Sequence, residues 1–484
     1  MGSDHSRAPL LDALRAFVER DQAPFYSPGH KGGRTFDPWF RANIAALDLN
    51  NLPDTDTLHC PEGPILAAEQ LIADAWGVAQ SFVMVQGSTG GNIAVALAAL
   101  RPGEPVLVAR NAHKSVLAGL VQVGARPIWV EPRWDADFGV AHGLDVAVVE
   151  KALAETDARA LWLLHPTYYG TTGDIAALAA LCQERGVRLL VDGAHSPHFA
   201  FHPELPTPAE RSGAAATVHS VHKILSGLSQ AAVLHVDTSQ LDEASVRRSL
   251  QLIQTTSPHF AIMASIDLAR RQMMTDGHAL LESALNRARS AAEKLALIPG
   301  LTVLRPEHLA GEGTGLHQLD ETKLLVGVGG LDADARAISA RLNAVHGVQP
   351  ELAGTGHVLC ISTIGNTDDD FDRLAAGFTE VAEHFGQRRG EAADGWTTDL
   401  LAVRPEVVLT PREAFFAARA PVALADAVGR IAAEAITPYP PGIPLVMPGE
   451  RLSGEVIALL SALRAAGNPI SASDPTLDFV TTVR

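Results

Sequence analysis

The chain has 484 residues, 47% of them hydrophobic and 19% charged, which excludes a disordered chain and leaves room for two or three domains with large cores. Its formal net charge of −17, with no Lys/Arg block to offset it, argues against a nucleic-acid partner, because neutralising a phosphate backbone needs a basic surface. Three widely separated cysteines, Cys60, Cys182 and Cys360, form no disulfide framework or zinc-ligand spacing, Met1–Pro9 is polar, and no apolar run reaches membrane length, so a cytoplasmic protein without metal or membrane contact is expected.

Apolar residues at Leu10, Leu11, Leu14, Phe17 and Val18 predict a helix with one buried face. Tyr26–Gly33 (YSPGHKGG) then breaks the pattern: Pro28 restricts one dihedral, and three glycines let backbone approach something closely. Asn50–Pro64 remains irregular, so residues 1–64 read as an N-terminal arm. From Ile65 the text alternates. Helices are predicted over Ile65–Trp76, Gly87–Leu100, His113–Val123, Leu144–Glu155 and Ile175–Arg185. Between them lie short apolar runs at Phe82–Val85, Val106–Ala109, Pro127–Val130, Ala160–Leu164 and Val187–Val191, followed by Val233–Val236. Strands apolar on both faces and separated by helices indicate a mostly parallel sheet covered on both sides.

Glu243–Leu297 reads as largely helical and closes a large domain over residues 65–297. Strand-like Leu301–Leu304, Lys323–Val328 and His357–Ser362, with a helix at Asp334–Val345, suggest a smaller α/β domain over 298–385. A polar stretch, Gly386–Gly395, marks a linker to a C-terminal subdomain over 396–484. There Ala423–Ala435 and Ser453–Ala466 are predicted helices, and Thr437–Pro444 is forced into an extended path by its prolines.

Ligands of parallel α/β sheets gather at the C-terminal ends of strands, and the unusual residues of this chain fall in those loops. Gly87–Asn92 (GSTGGN), between a strand and a helix, offers free N–H groups and the hydroxyls of Ser88 and Thr89 to an anion such as phosphate; a plain helix cap is the alternative. His113 opens a helix beyond another strand end, where it can stack on a flat ring or serve as a cap. Asp192 ends an apolar run and continues as Gly193, Ala194 and His195; its carboxylate can keep a ring nitrogen protonated or hold a turn. Ser220–Lys223 (SVHK) places Lys223 as an amine for covalent attachment to a carbonyl, beside Ser220 and His222. In this order the set fits pyridoxal 5′-phosphate on an aminotransferase-like fold.

Longer stretches carry a resemblance. Ser27–Gly32 (SPGHKG), Leu58–Ile65 (LHCPEGPI), Gln86–Gly90, Arg110–Ser115, His165–Gly170 (HPTYYG), Asp192–His195, Ser220–Lys223, Gln254–Ser257 (QTTS) and Tyr439–Pro444 (YPPGIP) make the chain resemble bacterial ornithine/lysine/arginine decarboxylases, especially short members without a receiver-like N-terminal domain. The resemblance implies an α/β fold of aminotransferase type I, with a mostly parallel sheet in the large domain, an arm and a smaller C-terminal α/β region. It also implies that Lys223 carries the cofactor, Asp192 pairs with its ring nitrogen, His113 stacks on the ring, and Ala194 packs on the other face with His195 following. Ser88, Thr89, Ser220 and His222 would hold the phosphate or position Lys223, and Thr256 and Ser257 would reach a phosphate across the interface of a homodimer or higher even oligomer. The implied reaction is decarboxylation of a basic amino acid, arginine ahead of lysine and ornithine. Asp54, Asp56 and Glu455 are the candidates for meeting the substrate's distal cation. Gly193 departs from the acidic residue often found there in short relatives. Two other readings stand beside this one: a cysteine desulfurase or related lyase, which needs a nucleophilic cysteine, and a silent relative that only binds.

Overall fold

The computed structural model describes residues 5–309, 315–354, 356–388, 403–438, 444–465 and 467–484. At its centre is a seven-stranded sheet of β1 (Gln80–Met84), β2 (Pro105–Ala109), β3 (Arg126–Val130), β4 (Ala160–Leu164), β5 (Arg188–Asp192), β6 (Ala216–Ser220) and β7 (Ala232–Val236). Their order is β1-β7-β6-β5-β4-β2-β3. The five strands from β6 to β3 run parallel, and β7 runs antiparallel to both β6 and β1. Helices Gly87–Ala99, Lys114–Val123 and Glu243–Ile253 cover one face; Pro64–Trp76, Val146–Glu155 and Ile175–Glu184 contribute to the cores on the other. Burial on both faces explains the unbroken apolar runs read from the sequence. It also directs the strand ends, with their polar loops, to one edge.

A second, antiparallel sheet is built from Thr302–Val303, Lys323–Gly327, His357–Ile361 and Leu352–Ala353. Helices Ala335–His346 and Asp368–Phe385 pack on it. The 37-residue helix Phe260–Ala296 ties the two sheets together, because Ile262, Ile266 and Met273 join the core beneath the large sheet while Ala288, Ala291 and Leu295 join that of the second. The arm is anchored rather than free: Ala23–Phe25 pairs parallel with Val348–Pro350. At the C-terminus Arg419–Ala423 pairs antiparallel with Phe479–Val483, over a core that includes Leu424, Ile436, Leu452, Val456 and Leu460.

Two expectations need correction and one is refined. The helix Pro9–Val18 forms but buries no residue in this chain, with Leu10 73% and Val18 78% exposed. Glu243–Leu297 is largely helical as expected, in two helices separated over Gln254–His259, where Pro258 removes a donor. Ala423–Ala435 is not a helix: a short 3-10 turn at Leu424–Asp426 leads to Gly429, at φ +81°, and then Ile431 and Ala432 bridge to Arg451 and Thr482. Pairing with the returning chain overrides the local helical spacing. The motif at Tyr439–Ile443 and most of the linker read at Gly386–Gly395 lie outside the described residues.

Candidate active site

A cavity of about 300 Å³ opens at the C-terminal edge of the large sheet, and Ser88, His113, Asp192, Ala194, His195 and Lys223 all line it. They come from the loops after β1, β2, β5 and β6. Each stands within a few residues of an apolar strand, so the sheet register alone brings them together.

Asp192 is the last residue of β5, and its carboxylate is held by two donors: Asn92 Nδ2 at 2.8 Å and the Ala194 backbone N–H at 3.1 Å. Asn92 also donates to Ser115 Oγ at 2.8 Å. Ser115 in turn meets His113, whose Nδ1 accepts from the Ser115 backbone N–H at 3.2 Å and lies 2.8 Å from its hydroxyl. An Nδ1 that accepts a backbone N–H carries no proton, so the network assigns the His113 proton to Nε2. Desolvation in the cleft lowers the His113 pKa, opposed by the Asp192 charge and reinforced by Lys223. His113 is therefore a neutral ring beside the cavity.

The helix Gly87–Ala99 points its first turn at the same space, where helix N–H groups lack intrahelical partners. Gly87 has φ +65°, and a Cβ on Gly91 would come within 2.6 Å of Val218 Cγ1, so these glycines set the sharp entry and the close packing on the sheet. Ser220 Oγ donates to Ser88 Oγ at 2.8 Å, joining the ends of β6 and β1. Free amides, hydroxyls, a flat cavity between His113 and Ala194, a fixed carboxylate and an amine form a donor set that fits the phosphate, ring and carbonyl of pyridoxal 5′-phosphate.

Lys223 lies in the single helical turn Val221–Ile224. Burial lowers its pKa, opposed by Asp192 and Glu351. The turn is braced from behind by the arm: the Gly29 N–H donates to His222 O at 2.8 Å, and a Cβ at Gly29 would come within 2.4 Å of the Ile224 backbone. This close approach was foreseeable from the glycines of Tyr26–Gly33. His222 donates from Nδ1 to Ala231 O at 2.9 Å and so fixes the turn rather than lining the cavity. His195 is buried, with Nε2 2.9 Å from Lys223 Nζ and Nδ1 3.1 Å from Nζ of Lys323.

Other expected residues are not brought to this cavity. Thr89 is exposed on the first helical turn, and Thr256 and Ser257 are exposed on the break between two helices. Asp56 is put to another use, since its carboxylate accepts from the backbone N–H groups of Thr57, Glu62, Gly63 and Ile65 and organises the entry to helix Pro64–Trp76. Asp54 and Glu455 are exposed and do not line the cavity. Gly193 has a reason of its own. A Cβ there would come within 2.7 Å of His219 Cδ2, and Glu210 stands 3.5 Å from His219 Nε2, placing a carboxylate beside that ring from a different loop. Cys360 is buried and its thiol is pushed up to about 12 by that burial, so it offers no thiolate; Cys182 is buried with the same shift.

Several contributors escaped sequence reasoning. Asn92 and Ser115 were inside recognised motifs, and a polar residue one turn into an otherwise apolar helix is the signal that could have found Asn92. Lys323, at the head of an apolar strand, carried a similar signal. Tyr168, whose hydroxyl donates to Glu351, and Thr437 and Pro444 of the far wall lay in or beside quoted motifs without being assigned a role, whereas Leu352 and Ser471, also of that wall, carried no signal.

Residues 8–370 match the model of the Orn/Lys/Arg decarboxylase major domain, and residues 395–471 match that of its C-terminal domain. The chain is 34% identical over 482 residues to the arginine decarboxylase of Bacillus subtilis, covering 98% of both chains. It is 33% identical to that of Halalkalibacterium halodurans, covering 97% and 96%. It is 25% identical to the constitutive lysine decarboxylase of Escherichia coli, covering 95% of this chain and 77% of the relative. The solved structure of that lysine decarboxylase superimposes with a TM-score of 0.78 at 22% identity, over 99% of this chain and 82% of the other.

Proposed function

The chain belongs to the Orn/Lys/Arg decarboxylase family, and from that premise we propose that it decarboxylates a basic L-amino acid, arginine ahead of lysine and ornithine, with pyridoxal 5′-phosphate as cofactor. The observation that carries the reading is the convergence of Lys223, Asp192 and His113 on one cavity. Full-length identity of 33–34% to arginine decarboxylases, against 25% to a lysine decarboxylase, supports placing arginine first.

When bound, the cofactor supplies an electron-accepting ring conjugated to the α-carbon of the amino acid. The chain's own residues do the rest. Lys223, with its pKa lowered by burial, would present a neutral fraction of its amine to hold the cofactor's carbonyl carbon. Asp192, held by Asn92 and the Ala194 N–H, would keep a proton on the ring nitrogen. His113 and Ala194, which both line the cavity, would confine the ring. Ser88 and the helix N-terminus would neutralise the phosphate, while Ser220 and His222 hold the Lys223 turn. Lys223 Nζ, which lines the cavity, would carry the proton that the α-carbon needs when carbon dioxide leaves.

Asp192 is the one carboxylate among the described residues lining the cavity, and it serves the ring. The group that meets the distal cation therefore comes from elsewhere. We assign the protein to a cytoplasmic homodimer or higher even assembly, in which exposed Thr256 and Ser257 serve the site of a second copy and the uncovered Leu10, Leu14 and Val18 have a surface to meet. Among the described residues no helix is long and apolar enough to cross a membrane.

The test is to supply arginine, lysine and ornithine separately to the cofactor-loaded protein and measure carbon dioxide and amine, with Lys223→Ala as the control. The highest kcat/KM is expected for arginine, with no turnover in the variant. A higher value for lysine overturns the order, and no release from any of the three overturns the substrate class.

A further inference from the structure

The imidazole of His195 is enclosed between two lysine amines that come from different parts of the fold. Lys223 approaches Nε2 from the turn after β6; Lys323 approaches Nδ1 from the first residue of the second sheet's strand Lys323–Gly327. Both His195 and Lys323 are buried, and among the described residues no carboxylate lies within salt-bridge distance of Lys323. The placement is enforced by packing. A Cβ on Gly170, at φ +90°, would come within 2.8 Å of Lys323 Cγ, so only glycine there leaves the lysine its path to the ring.

Hydrogen-bond accounting then restricts the protons. A neutral imidazole has one N–H and one lone pair. Its N–H needs an acceptor, and a lysine nitrogen accepts only when it is a neutral amine. At least one of the two lysines is therefore neutral. Burial, with both lysines acting in the same direction, pushes the His195 pKa well below its ordinary value and keeps the ring neutral. Two arrangements of equal net charge remain. In one, Lys323 is the ammonium and donates to Nδ1, while the Nε2–H donates to a neutral Lys223. In the other, Lys223 is the ammonium and donates to Nε2, while the Nδ1–H donates to a neutral Lys323.

We propose that Lys323 and His195 form a proton relay that sets the charge on Lys223, an inference that rests on the assignment of Lys223 as the cofactor-bearing amine. One step converts the two arrangements: Lys323 gives a proton to His195 Nδ1, and His195 gives its Nε2 proton to Lys223. Lys323 ends neutral, Lys223 ends as the ammonium, the ring changes tautomer, and no outside donor is consumed. The relay gives Lys223 a neutral amine when it must attack and a proton when it must deliver one. Lys323 and His195 are positioning residues that act through Lys223.

The other groups around the relay are few. Tyr168 packs edge-on to His195, with ring centroids 4.8 Å apart; His113 and His222 add repulsion at His195. Asp320 and Glu351 favour the charge on Lys323, whose pKa burial lowers to about 8. Asp192 and Glu351 do the same for Lys223.

The experiment follows capture of pyridoxal 5′-phosphate by the full-length, cofactor-stripped protein, read as the rate of appearance of its visible absorbance against pH. This reports the neutral fraction of Lys223 without any turnover. In Lys323→Met, His195 is free to turn a lone pair to Lys223 and stabilise its ammonium. The profile is then expected to move up by about one pH unit, and capture at pH 7 to slow about tenfold. His195→Gln is expected to move the profile in the same direction and to make a further Lys323→Met change silent. If Lys323→Met does not fold, the shift in His195→Gln decides by itself. An unshifted profile in the folded variants overturns the relay, and so does a Lys323→Met shift of full size in the His195→Gln background. Failure of the wild-type protein to capture the cofactor at all refutes the cofactor site first, and the relay with it.

Discussion

The two walls of the cavity are built on opposite plans. One wall is the edge of the large sheet, where Ser88, His113, Asp192 and Lys223 follow directly on strands or on the turn after a strand. The other is assembled from Leu352, Thr437, Pro444 and Ser471, with Lys323 and Glu351 behind, all supplied by the second sheet and the C-terminal segment. The first wall is set by strand register and carries the chemistry. The second is set by packing between separate cores, and it brings Lys323 to His195. Local changes should therefore damage the first wall chemically, and the second through stability or pH.

The largest effect is expected at the sheet edge. Asp192→Asn keeps the shape and the contact with Ala194 but removes the charge, and loss of a group that stabilises charge in the reaction costs on the order of a hundredfold or more in kcat. Turnover of arginine measures it, with folding checked by thermal denaturation. Unchanged turnover would break the division between the walls.

Next comes the joint between them. Arg110, just past β2, makes a buried bidentate pair with Glu450 of the C-terminal segment and also donates to Leu445 O at 2.9 Å. Arg110→Met strands a buried carboxylate, which is expected to destabilise the protein by about 3–5 kcal/mol in urea unfolding. A double variant with Glu450→Met should recover most of that loss, because the uncompensated charge is then gone.

The smallest effect is a pH dependence in the arm. Lys31 is buried and donates to the carbonyls of Tyr26 and Ile361, and burial first, then Lys323, lowers its pKa to about 7 against the raising effects of Glu351 and Asp370. Between about pH 7 and its ordinary value near 10.5 the unfolded chain binds the proton that the folded chain has lost, so this group adds stability as pH rises through that window. Lys31→Met should therefore show a flatter rise of Tm with pH over the window than the wild type. Parallel curves would show that the buried amine titrates as if in water.

Much of the first wall is legible in the amino-acid pattern. A hydrophobic run buried on both faces has to be a central strand, and the residue that ends it has to face the ligand edge, so Asp192 and the Gly87–Asn92 cradle needed only local pattern. Lys223 was singled out by the ordered set of motifs and the family resemblance rather than by its own tetrapeptide, and the glycines of Tyr26–Gly33 announced the close approach that Gly29 makes to its turn. Asp56 shows the limit of such reading: a carboxylate in an irregular arm looks the same whether it faces a substrate or ties down four backbone N–H groups.

What the sequence determined by itself was the alternation of strand and helix, the cofactor edge and the family. Tertiary structure alone decided the partners of His195, the placing of the Glu210 carboxylate beside His219, and the fate of Ala423–Ala435 as paired chain rather than helix. The reason is physical. Strand ends inherit their place from a period of two and a covered sheet, whereas Lys323 reaches His195 across 128 positions of chain, and such a distance is closed by the packing of whole cores that leave no periodic trace around either residue.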